Sequence, residues 1–451
     1  MRAKTQVVVL GGGLAGSEAA WQVARAGLPV TLFEMRPAQP TPAHKTDQLA
    51  ELVCSNSLKS NQPQSAPGLL KEELRRAGSL LVRVADEAAV PGGKALAVDR
   101  ERFAAGVTEA IAAHPLITLR REEARNLPED ALVIVATGPL TSPALSAELA
   151  RLTGAEHLYF YDAISPIVDA ESIDQSKVFR ASRYGSADGS GDYLNCPLTR
   201  EEYERFVEAV LAAEEVERHA FEEARYFEAC LPIEELARRG RDTLRFGPMK
   251  PVGLADPRTG CRPYAVVQLR QEDARASSYN LVGFQNHLKF GEQKRILRMI
   301  PGLERAETLR YGQIHRNTYL NAPRLLAPTL KLRAEPRMFV AGQLCGTEGY
   351  VEAIATGLMA GRHAARLARG EEPVPPPRET ALGSLVHYIT AASPQNYQPA
   401  NIAFDLLPPL PPAEQERLRS DKQARRAAQC RRALEALEGW LEQATPAAAP
   451  R

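Results

Sequence analysis

The sequence predicts an α/β fold in which a largely parallel sheet is covered by helices and the chain is interrupted by a second α/β domain. Three observations support this prediction. An apolar run, a glycine-rich turn and a helix-like segment follow one another in residues 5–34. Strand-like apolar runs recur at 131–135 and 337–341, and residues from about 146 to 310 separate them. Continuous apolar strands are typical of parallel sheets, because helices cover both faces.

The first element is a strand that leads through a glycine turn into a helix. Val7 to Leu10 form the apolar strand, and the turn matches G-x-G-x-x-G at Gly11, Gly13 and Gly16. In dinucleotide-binding folds the first glycine permits the tight turn and the second lets the backbone approach a pyrophosphate. The third glycine allows the helix to pack closely on the strand. The helix N-terminus then presents its amides and its positive dipole end to the phosphates.

The second strand, PVTLFE, ends at Glu34, 18 residues after Gly16. A carboxylate at this distance accepts a hydrogen bond from a ribose hydroxyl group. The glycine motif alone is weak evidence, but its place between strand and helix, together with this acid, predicts a dinucleotide site. The alternative is a glycine loop that serves packing and binds no ligand. The predicted contacts here are Gly11, Gly12, Gly13, Leu14, Ala15, Gly16, Glu34 and Arg36.

Two later stretches favour FAD over NAD as the dinucleotide. ALVIVATGPL (131–140) is a strand that ends in Ala-Thr-Gly, and RMFVAGQLCGTEGYVEAIATG (337–357) reads as strand, glycine-rich turn and small-residue helix. Flavoproteins of the glutathione-reductase type resemble this order of pieces, and in them the second helix approaches the flavin ring. We therefore expect a glutathione-reductase-type FAD-binding Rossmann domain with an inserted α/β domain. The predicted contacts in these stretches are Thr137, Gly138, Gly342, Gly349 and Tyr350.

Composition gives no sign of a membrane protein, a disulfide scaffold or a metal site. The 451 residues carry a net charge of +1, and 25% are charged and 44% hydrophobic, as is usual for globular proteins. No apolar run approaches the roughly 20 residues that a membrane span needs, and the N-terminus lacks the apolar region of a signal peptide. The six cysteines and eight histidines are scattered without metal-ligand spacing. We expect a cytoplasmic protein without a metal ion, in which nucleic-acid binding requires local basic patches.

Several long blocks resemble those of one family, the bacterial folate- and FAD-dependent tRNA uracil-5-methyltransferases (TrmFO). The resemblance spans residues 5 to about 410, and two of the blocks, VCSNS and FEACLPIE, are not shared by flavoproteins of the MnmG type. Among the matching blocks are LFEMRP (32–37), TPAHKTDQLAELVCSNSLKS (41–60), GGKALAVDRERF (92–103), YFYDAISPIV (159–168), FEACLPIEELARRG (227–240), RPYAVVQLRQED (262–273), GFQNHLKFGEQKR (283–295), YGQIHRNTYLNAP (311–323) and EGYVEAIATGLMAG (348–361).

The resemblance implies methylation of carbon 5 of uridine at position 54 of the tRNA T loop. It implies 5,10-methylenetetrahydrofolate as carbon donor, FAD as cofactor and NADH or NADPH as reductant, with the tRNA T-arm as partner. It further implies two catalytic cysteines, which match Cys54 in VCSNS and Cys230 in FEACLP. A thiolate that adds to carbon 6 of uracil makes carbon 5 nucleophilic, and a second group must take the proton from carbon 5. The family comparison favours Cys230 as nucleophile and Cys54 as its partner or base.

Two alternatives stay open on the sequence alone. One keeps this chemistry but takes ribosomal RNA as substrate, because sequence pattern does not identify the RNA. The other is a non-catalytic flavin-containing RNA-binding protein, against which the intact Cys54 and Cys230 argue. Cys54 has apolar neighbours on one side and hydroxyl and amide side chains on the other. Without the resemblance, a packing role for this thiol would be preferred, since isolated cysteines are often buried.

The predicted organisation has four parts. Residues 1–145 and 311–442 form the two parts of the FAD-binding domain, the second with a C-terminal helix. Residues 146–310 form the inserted domain, which we expect to carry Cys230 and part of the folate and RNA surface. Residues 443–451 are expected to be a disordered tail.

Two basic stretches, 293–310 and 413–442, are candidates for RNA contact or, alternatively, solvated helix faces. The second is helical by composition and has an apolar edge that includes Leu437 and Trp440. A departure from the family pattern, GQLCGTEGY, puts Cys345 close to the expected flavin. The basic residues are Lys294, Arg295, Arg298, Arg305 and Arg310 in the first stretch and Arg417, Arg419, Lys422, Arg425, Arg426, Arg431 and Arg432 in the second.

Overall fold

The computed structural model describes residues 6–41, 43–154, 158–163, 165–183, 191–216, 231–312, 314–395 and 397–444. The strands are β1 (Gln6–Leu10), β2 (Val30–Phe33), β3 (Ser57–Ser60), β4 (Ala89–Val90), β5 (Ala95–Val98), β6 (Ile117–Arg120), β7 (Ala131–Val135), β8 (Leu158–Ala163), β9 (Ile167–Asp169), β10 (Phe179–Ala181), β11 (Tyr193–Leu198), β12 (Ala265–Gln271), β13 (Ser278–Leu281), β14 (Thr308–Arg310), β15 (Ile314–Tyr319) and β16 (Met338–Val340). The helices are α1 (Leu14–Arg25), α2 (Ala66–Arg76), α3 (Leu80–Glu87), α4 (Arg100–Ala112), α5 (Pro143–Thr153), α6 (Arg200–Leu211), α7 (Ile233–Arg238), α8 (Thr243–Phe246), α9 (Phe290–Leu297), α10 (Ala322–Leu325), α11 (Tyr350–Ala368), α12 (Ala381–Ala391), α13 (Pro412–Arg417) and α14 (Lys422–Ala444).

A five-stranded parallel sheet with the order β16-β7-β1-β2-β6 forms the base of the fold. Its central strand β1 pairs with β2 on one side and with β7 on the other, so that Val9 lies between Leu32 and Ile134. These side chains are fully buried, as expected for a sheet with both faces covered. β16 joins the sheet from far along the chain, beside β7. The α/β fold predicted from the sequence is confirmed.

Helix α1 packs on this sheet beside α11, and Gly16 permits the close approach of α1 to the turn at Gly11. A Cβ atom at Gly16 would overlap the carbonyl oxygen of Gly11. Any larger residue would therefore push the helix away from the turn, as the predicted packing role of the third glycine requires. Both α1 and α11 contribute mainly alanine, leucine and valine to one hydrophobic core. Residues from before and after the segment 165–312 share this core.

Residues 165–312 contain a second sheet, six-stranded and antiparallel, with the order β10-β11-β12-β13-β9-β14. A separate hydrophobic core, between Val168 and Ala306, lies between it and the helices α6, α7 and α9. Helix α6 begins with a capping box, in which Thr199 accepts from the amide of Glu202 and the Glu202 side chain accepts from the amide of Thr199. The antiparallel ribbon β8–β15 joins the two sheets at the ends of this segment.

The C-terminal region forms a short helix and a long one instead of the single helix predicted for 413–442. α13 ends at Arg417, and α14 starts at Lys422. Leu437 and Trp440 are buried in the first core, and the indole of Trp440 donates to the carbonyl oxygen of Val374 at 2.9 Å. α14 is thus a docked helix. No helix among the described ranges is long and apolar enough to cross a membrane.

Candidate functional site

A cavity of about 450 Å³ opens at the carboxyl ends of β1, β2 and β7. This edge of a parallel sheet is where α/β proteins bind ligands, because the strand order reverses there and leaves a crevice. The cavity receives residues from the glycine turn, the segment around Cys54, the start of α11 and strands of the antiparallel sheet. The parallel sheet and the antiparallel sheet therefore both contribute residues to the same pocket.

The glycine turn and Glu34 form one wall of the cavity. The amide of Gly12 donates to Oε2 of Glu34 at 3.0 Å, and Nε of Arg36 donates to Oε1 at 2.9 Å. Burial opposes ionisation of Glu34, but the hydrogen bond and the charge of Arg36 outweigh it and lower the pKa of this carboxyl group. Glu34 is consequently a carboxylate at neutral pH, fixed at the end of β2 and able to accept further hydrogen bonds.

Cys54 lies on the cavity wall, half-buried, in the loop before β3. The hydroxyl oxygen of Tyr350 accepts hydrogen bonds from the amides of Cys54 at 2.7 Å and of Ser55 at 3.1 Å. Burial raises the pKa of the Tyr350 phenol well above its usual value, so the acceptor is a neutral hydroxyl group. Tyr350 is the first residue of α11. Its hydroxyl group therefore holds the backbone of Cys54 and Ser55 at the N-terminus of α11.

Three arginines surround the Cys54 loop. The guanidinium groups of Arg100 and Arg310 both donate to the carbonyl oxygen of Cys54, at 3.0 and 2.7 Å. Arg270 lines the cavity and is almost fully buried; burial lowers its pKa, and Glu272 opposes that effect. Arg100 forms an ion pair with Glu272. The loop thus lies in a strongly cationic environment, which in proteins favours thiolates and anionic ligands.

Lys59 ties the other end of this loop to α11. Its ammonium group donates to Oε1 of Glu352 at 3.0 Å and to the carbonyl oxygen of Glu348 at 3.2 Å, and it also contacts Asn401. Glu352 is fully buried, so this ion pair is held in a protein interior. Lys59 itself lines the cavity with its ammonium group near the N-terminus of α11.

The cavity brings together nearly all the residues that the sequence predicts to be functional. Gly16 is the exception among the described ones, since it packs beneath Gly11. Cys230 lies outside the described residues, and its position is therefore a prediction from the sequence alone. The predicted residues that line the cavity are Gly11, Gly12, Gly13, Leu14, Ala15, Glu34, Arg36, Cys54, Thr137, Gly138, Gly342, Gly349 and Tyr350. Their individual roles stay predictions.

Sequence reasoning missed part of the wall that the antiparallel sheet supplies. Arg270, Asn280 and Gln285 line the cavity, as does Lys59. Arg270 and Gln285 lie in the blocks RPYAVVQLRQED and GFQNHLKFGEQKR, whose resemblance to one family was the available signal. Nothing in the local pattern of β12 indicates that its arginine points to a crevice formed by another sheet.

Cys345 is not on the cavity wall. It is fully buried, and its thiol donates to the carbonyl oxygen of Gly342 at 3.0 Å. Burial raises the pKa of this thiol to about 12, so it stays protonated and unreactive at neutral pH. The sequence placed Cys345 close to the expected flavin; the structure places it behind the turn that lines the site.

The residues of the glycine turn fit a dinucleotide. A Cβ atom built on Gly13 meets no atom within 4 Å, although Gly13 lines the cavity at the N-terminus of α1. The space in front of this backbone is what a pyrophosphate needs. Glu34 supplies the carboxylate for a ribose, and the second helix N-terminus, at Gly349, faces the same cavity. Among the described residues, no cluster of histidine, cysteine or acidic side chains has the geometry of a metal site.

Replacing Tyr350 by phenylalanine is expected to slow catalysis and lower stability without removing the cofactor. The two amides that now donate to its hydroxyl group would lose their acceptor, at a cost of about 1–3 kcal/mol for each that stays buried. The Cys54 loop would then sample other positions. Turnover and the thermal midpoint should both fall relative to Tyr388→Phe, which loses a hydroxyl group that donates to the carbonyl oxygen of Gln398. Equal turnover in the two variants would show that the hydrogen bonds between Tyr350 and the Cys54 loop do not affect catalysis.

Comparisons with known proteins give a consistent result. A family model described as glucose inhibited division protein A (GIDA) matches residues 6–372. A protein of Solibacter usitatus (strain Ellin6076), named methylenetetrahydrofolate--tRNA-(uracil-5-)-methyltransferase TrmFO, is 68% identical over 96% of this chain and 98% of its own length. A protein of the same name from Koribacter versatilis (strain Ellin345) is 61% identical over 97% of this chain and 98% of its own length. The crystal structure of Aquifex aeolicus GidA is similar in fold, with a TM-score of 0.69, 19% identity, and coverage of 97% of this chain and 73% of that one.

Proposed function

Because the chain belongs to the TrmFO family of methylenetetrahydrofolate–tRNA-(uracil-5-)-methyltransferases, we propose that it methylates carbon 5 of uridine in tRNA with FAD bound at the glycine turn. The proposed target is the T-loop uridine at position 54, and the proposed reductant is NADH or NADPH. One observation carries the proposal beyond family membership. The thiol-bearing loop of Cys54 and the dinucleotide-type turn at Gly11 line the same cavity.

The glycine turn would hold the dinucleotide through its backbone. The amides at the start of α1 face the phosphates, Gly13 leaves room for them, and the Glu34 carboxylate accepts from a ribose hydroxyl group. When bound, the flavin supplies the electrons that bring a methylene carbon to the oxidation level of a methyl group. Thr137 and Gly138 at the end of β7 form the facing wall.

The cysteines would act on the base. A thiolate adds to carbon 6 of uracil, and the resulting enolate makes carbon 5 able to attack the one-carbon unit. The proton then leaves carbon 5 to a base as the one-carbon unit separates from its carrier. A hydride equivalent, which the bound reductant would supply, converts the exposed methylene carbon to a methyl group, and the thiolate leaves carbon 6 as the double bond between carbons 5 and 6 is restored. We assign the addition to Cys230 and the proton transfer to Cys54. The hydrogen bonds of Arg100, Arg310 and Tyr350 fix the backbone of Cys54 for that role.

The base must leave the loop stack of its RNA to reach these groups. A thiolate approaches carbon 6 from above the ring, where a stacked neighbour would lie. The cationic groups around the Cys54 loop suit the phosphates on both sides of an everted nucleotide. The proposed substrate is therefore an RNA loop whose target uridine can turn outward.

Mapping of 5-methyluridine in a strain that lacks this protein tests the proposal. We expect the modification to disappear from the T loop of tRNA and to return when the wild-type chain is expressed. Purified protein should form it on an unmodified tRNA transcript only when methylenetetrahydrofolate and a reduced nicotinamide are both present. Loss from ribosomal RNA with tRNA unchanged would overturn the assignment of the substrate.

A further inference from the structure

A partly exposed aromatic pair lies next to Arg310, which contacts the Cys54 loop. The rings of Phe290 and Tyr311 are stacked, with centroids 5.1 Å apart and planes inclined by 29°. Phe290 is 54% exposed, although a phenylalanine gains most when it is buried. The pair does not belong to either hydrophobic core. Packing thus gives no reason for its position.

Hydrogen bonds hold this pair in place. The side chain of Gln293, one turn after Phe290 in α9, donates to the carbonyl oxygen of Gly312 at 2.9 Å and accepts from its amide at 2.8 Å. Gln293 is buried. This two-point contact joins α9 to the segment that carries Tyr311, so the two rings are fixed to each other by a rigid support.

The same segment leads directly to the thiol loop. Arg310, the neighbour of Tyr311, donates to the carbonyl oxygens of Val53 at 3.1 Å and Cys54 at 2.7 Å. Its Nε atom is buried without a hydrogen-bond partner among the described residues. Tyr311 of the aromatic pair therefore directly follows, in the chain, the arginine that holds the Cys54 loop.

Positive charge flanks the pair. Lys294 and Arg298 are exposed and follow Phe290 at intervals of four residues, so that all three lie along one side of α9 and its C-terminal end. Neither cation forms an ion pair within the ranges that the structure describes, whereas Arg295 on another side pairs with Glu292 at 2.6 Å. Lys45, exposed near Arg310, adds a third cation.

We propose that Phe290 and Tyr311 form a stacking platform for an unpaired base of the substrate RNA loop, with Lys294 and Arg298 on the adjacent phosphates. This inference rests on the proposed function, since it takes a loop RNA as the substrate. An aromatic face stacks on any base, and cations along one edge bind the backbone. A neutral apolar partner would leave the two cations without a counterpart. The platform would receive a base next to the target uridine while that uridine enters the cavity.

Binding of a synthetic stem-loop RNA tests the platform. The loop contains a uridine and, beside it, 2-aminopurine, whose fluorescence falls when it stacks on an aromatic ring. With the flavin-loaded wild-type protein and no folate, we expect saturable quenching beyond that of the free RNA. Phe290→Ala should lose this quenching and bind the loop roughly tenfold more weakly, the loss typical of one base–aromatic stack. Phe290→Trp should retain both.

Three controls separate the possible results. Phe246→Ala removes a phenylalanine that is 72% exposed elsewhere in the same part of the chain, and it should bind like wild type. A continuous duplex of the same stem should bind equally weakly to all variants. Flavin content and thermal midpoint should match wild type in Phe290→Ala. Wild-type affinity and quenching in Phe290→Ala, or an equal loss in Phe246→Ala, would overturn the platform. Methylation of a tRNA transcript by the wild-type protein is measured in parallel. If the wild-type protein methylates the transcript although the platform is overturned, the proposed function is retained.

Discussion

Replacing Cys54 or Cys230 by alanine is expected to abolish formation of 5-methyluridine while the protein still binds flavin. Removal of a covalent nucleophile, or of the group that completes its reaction, costs on the order of 10⁴-fold or more in turnover. Cys54 lines the cavity, but the proposed binding of the cofactor uses the backbone of the glycine turn, so we do not expect the thiol to be needed for flavin binding. The measurement is single-turnover methylation of an unmodified tRNA transcript.

An RNA that carries 5-fluorouridine separates the roles of the two thiols. Fluorine does not leave carbon 5 as a proton does, so a thiolate that has added to carbon 6 stays attached to the RNA. Wild type and Cys54→Ala should form this adduct, and Cys230→Ala should not. Cys261→Ala is the matched control, because that cysteine is free and exposed, and it should methylate normally. Normal methylation by Cys230→Ala would remove it from the mechanism, and an adduct formed by wild type and Cys230→Ala but not by Cys54→Ala would exchange the two roles.

Replacing Gly13 by valine is expected to give a folded but colourless protein. A Cβ atom at this position meets nothing within 4 Å, and the backbone there is extended, so valine fits the protein alone. Its branched side chain would fill the space in front of the α1 amides, where we place the pyrophosphate. The visible flavin spectrum and the released FAD should fall to near background, whereas far-ultraviolet circular dichroism should not change.

Two other glycines provide the comparison. Gly291, likewise open around its Cβ position and distant in sequence from the turn, should keep its flavin when replaced by valine. Gly16→Val should destabilise the protein itself, because the new side chain would overlap Gly11. Full flavin content in Gly13→Val would show that the cofactor lies elsewhere, and an unfolded Gly13→Val would show that the apparent space is needed for packing.

The parts of the site that the sequence predicts well are local. The turn from Gly11 to Gly16 and the acid at Glu34 belong to one strand–helix–strand unit, whose spacing follows from backbone geometry. The hydroxyl of Tyr350 reaches the amide of Cys54 across 296 positions of the chain. No periodicity records such a contact, because it arises only when helix α11 packs against the loop before β3. For the same reason, Arg270 could be located in a strand but not on the wall of a pocket.

Two features of the fold were missed for other reasons. The strands of 165–312 are antiparallel, a direction that their composition does not reveal. The break between α13 and α14 falls in Leu418 to Asp421, a stretch with no proline or glycine. α14 starts at a cap, since the carboxylate of Asp421 accepts a hydrogen bond from the amide of Ala424 at 2.9 Å. Arg432 of α14 donates to the carbonyl oxygens of Pro408 and Pro409, which holds the long helix against the preceding loop.

Asn56, two residues from Cys54, joins strand β5 to strand β12 of the antiparallel sheet. Its fully buried amide donates to the carbonyl oxygens of Val98 at 3.0 Å and Gln271 at 2.9 Å, and accepts from Arg270 at 2.8 Å. A buried amide with all these partners is costly to pull apart, since each lost bond leaves an unsatisfied polar group. These hydrogen bonds therefore fix strand β12 and the Cys54 loop to each other, so that a displacement of β12 would also displace the backbone next to Cys54. The loop that carries Cys54 thus also connects strands that are distant in the sequence.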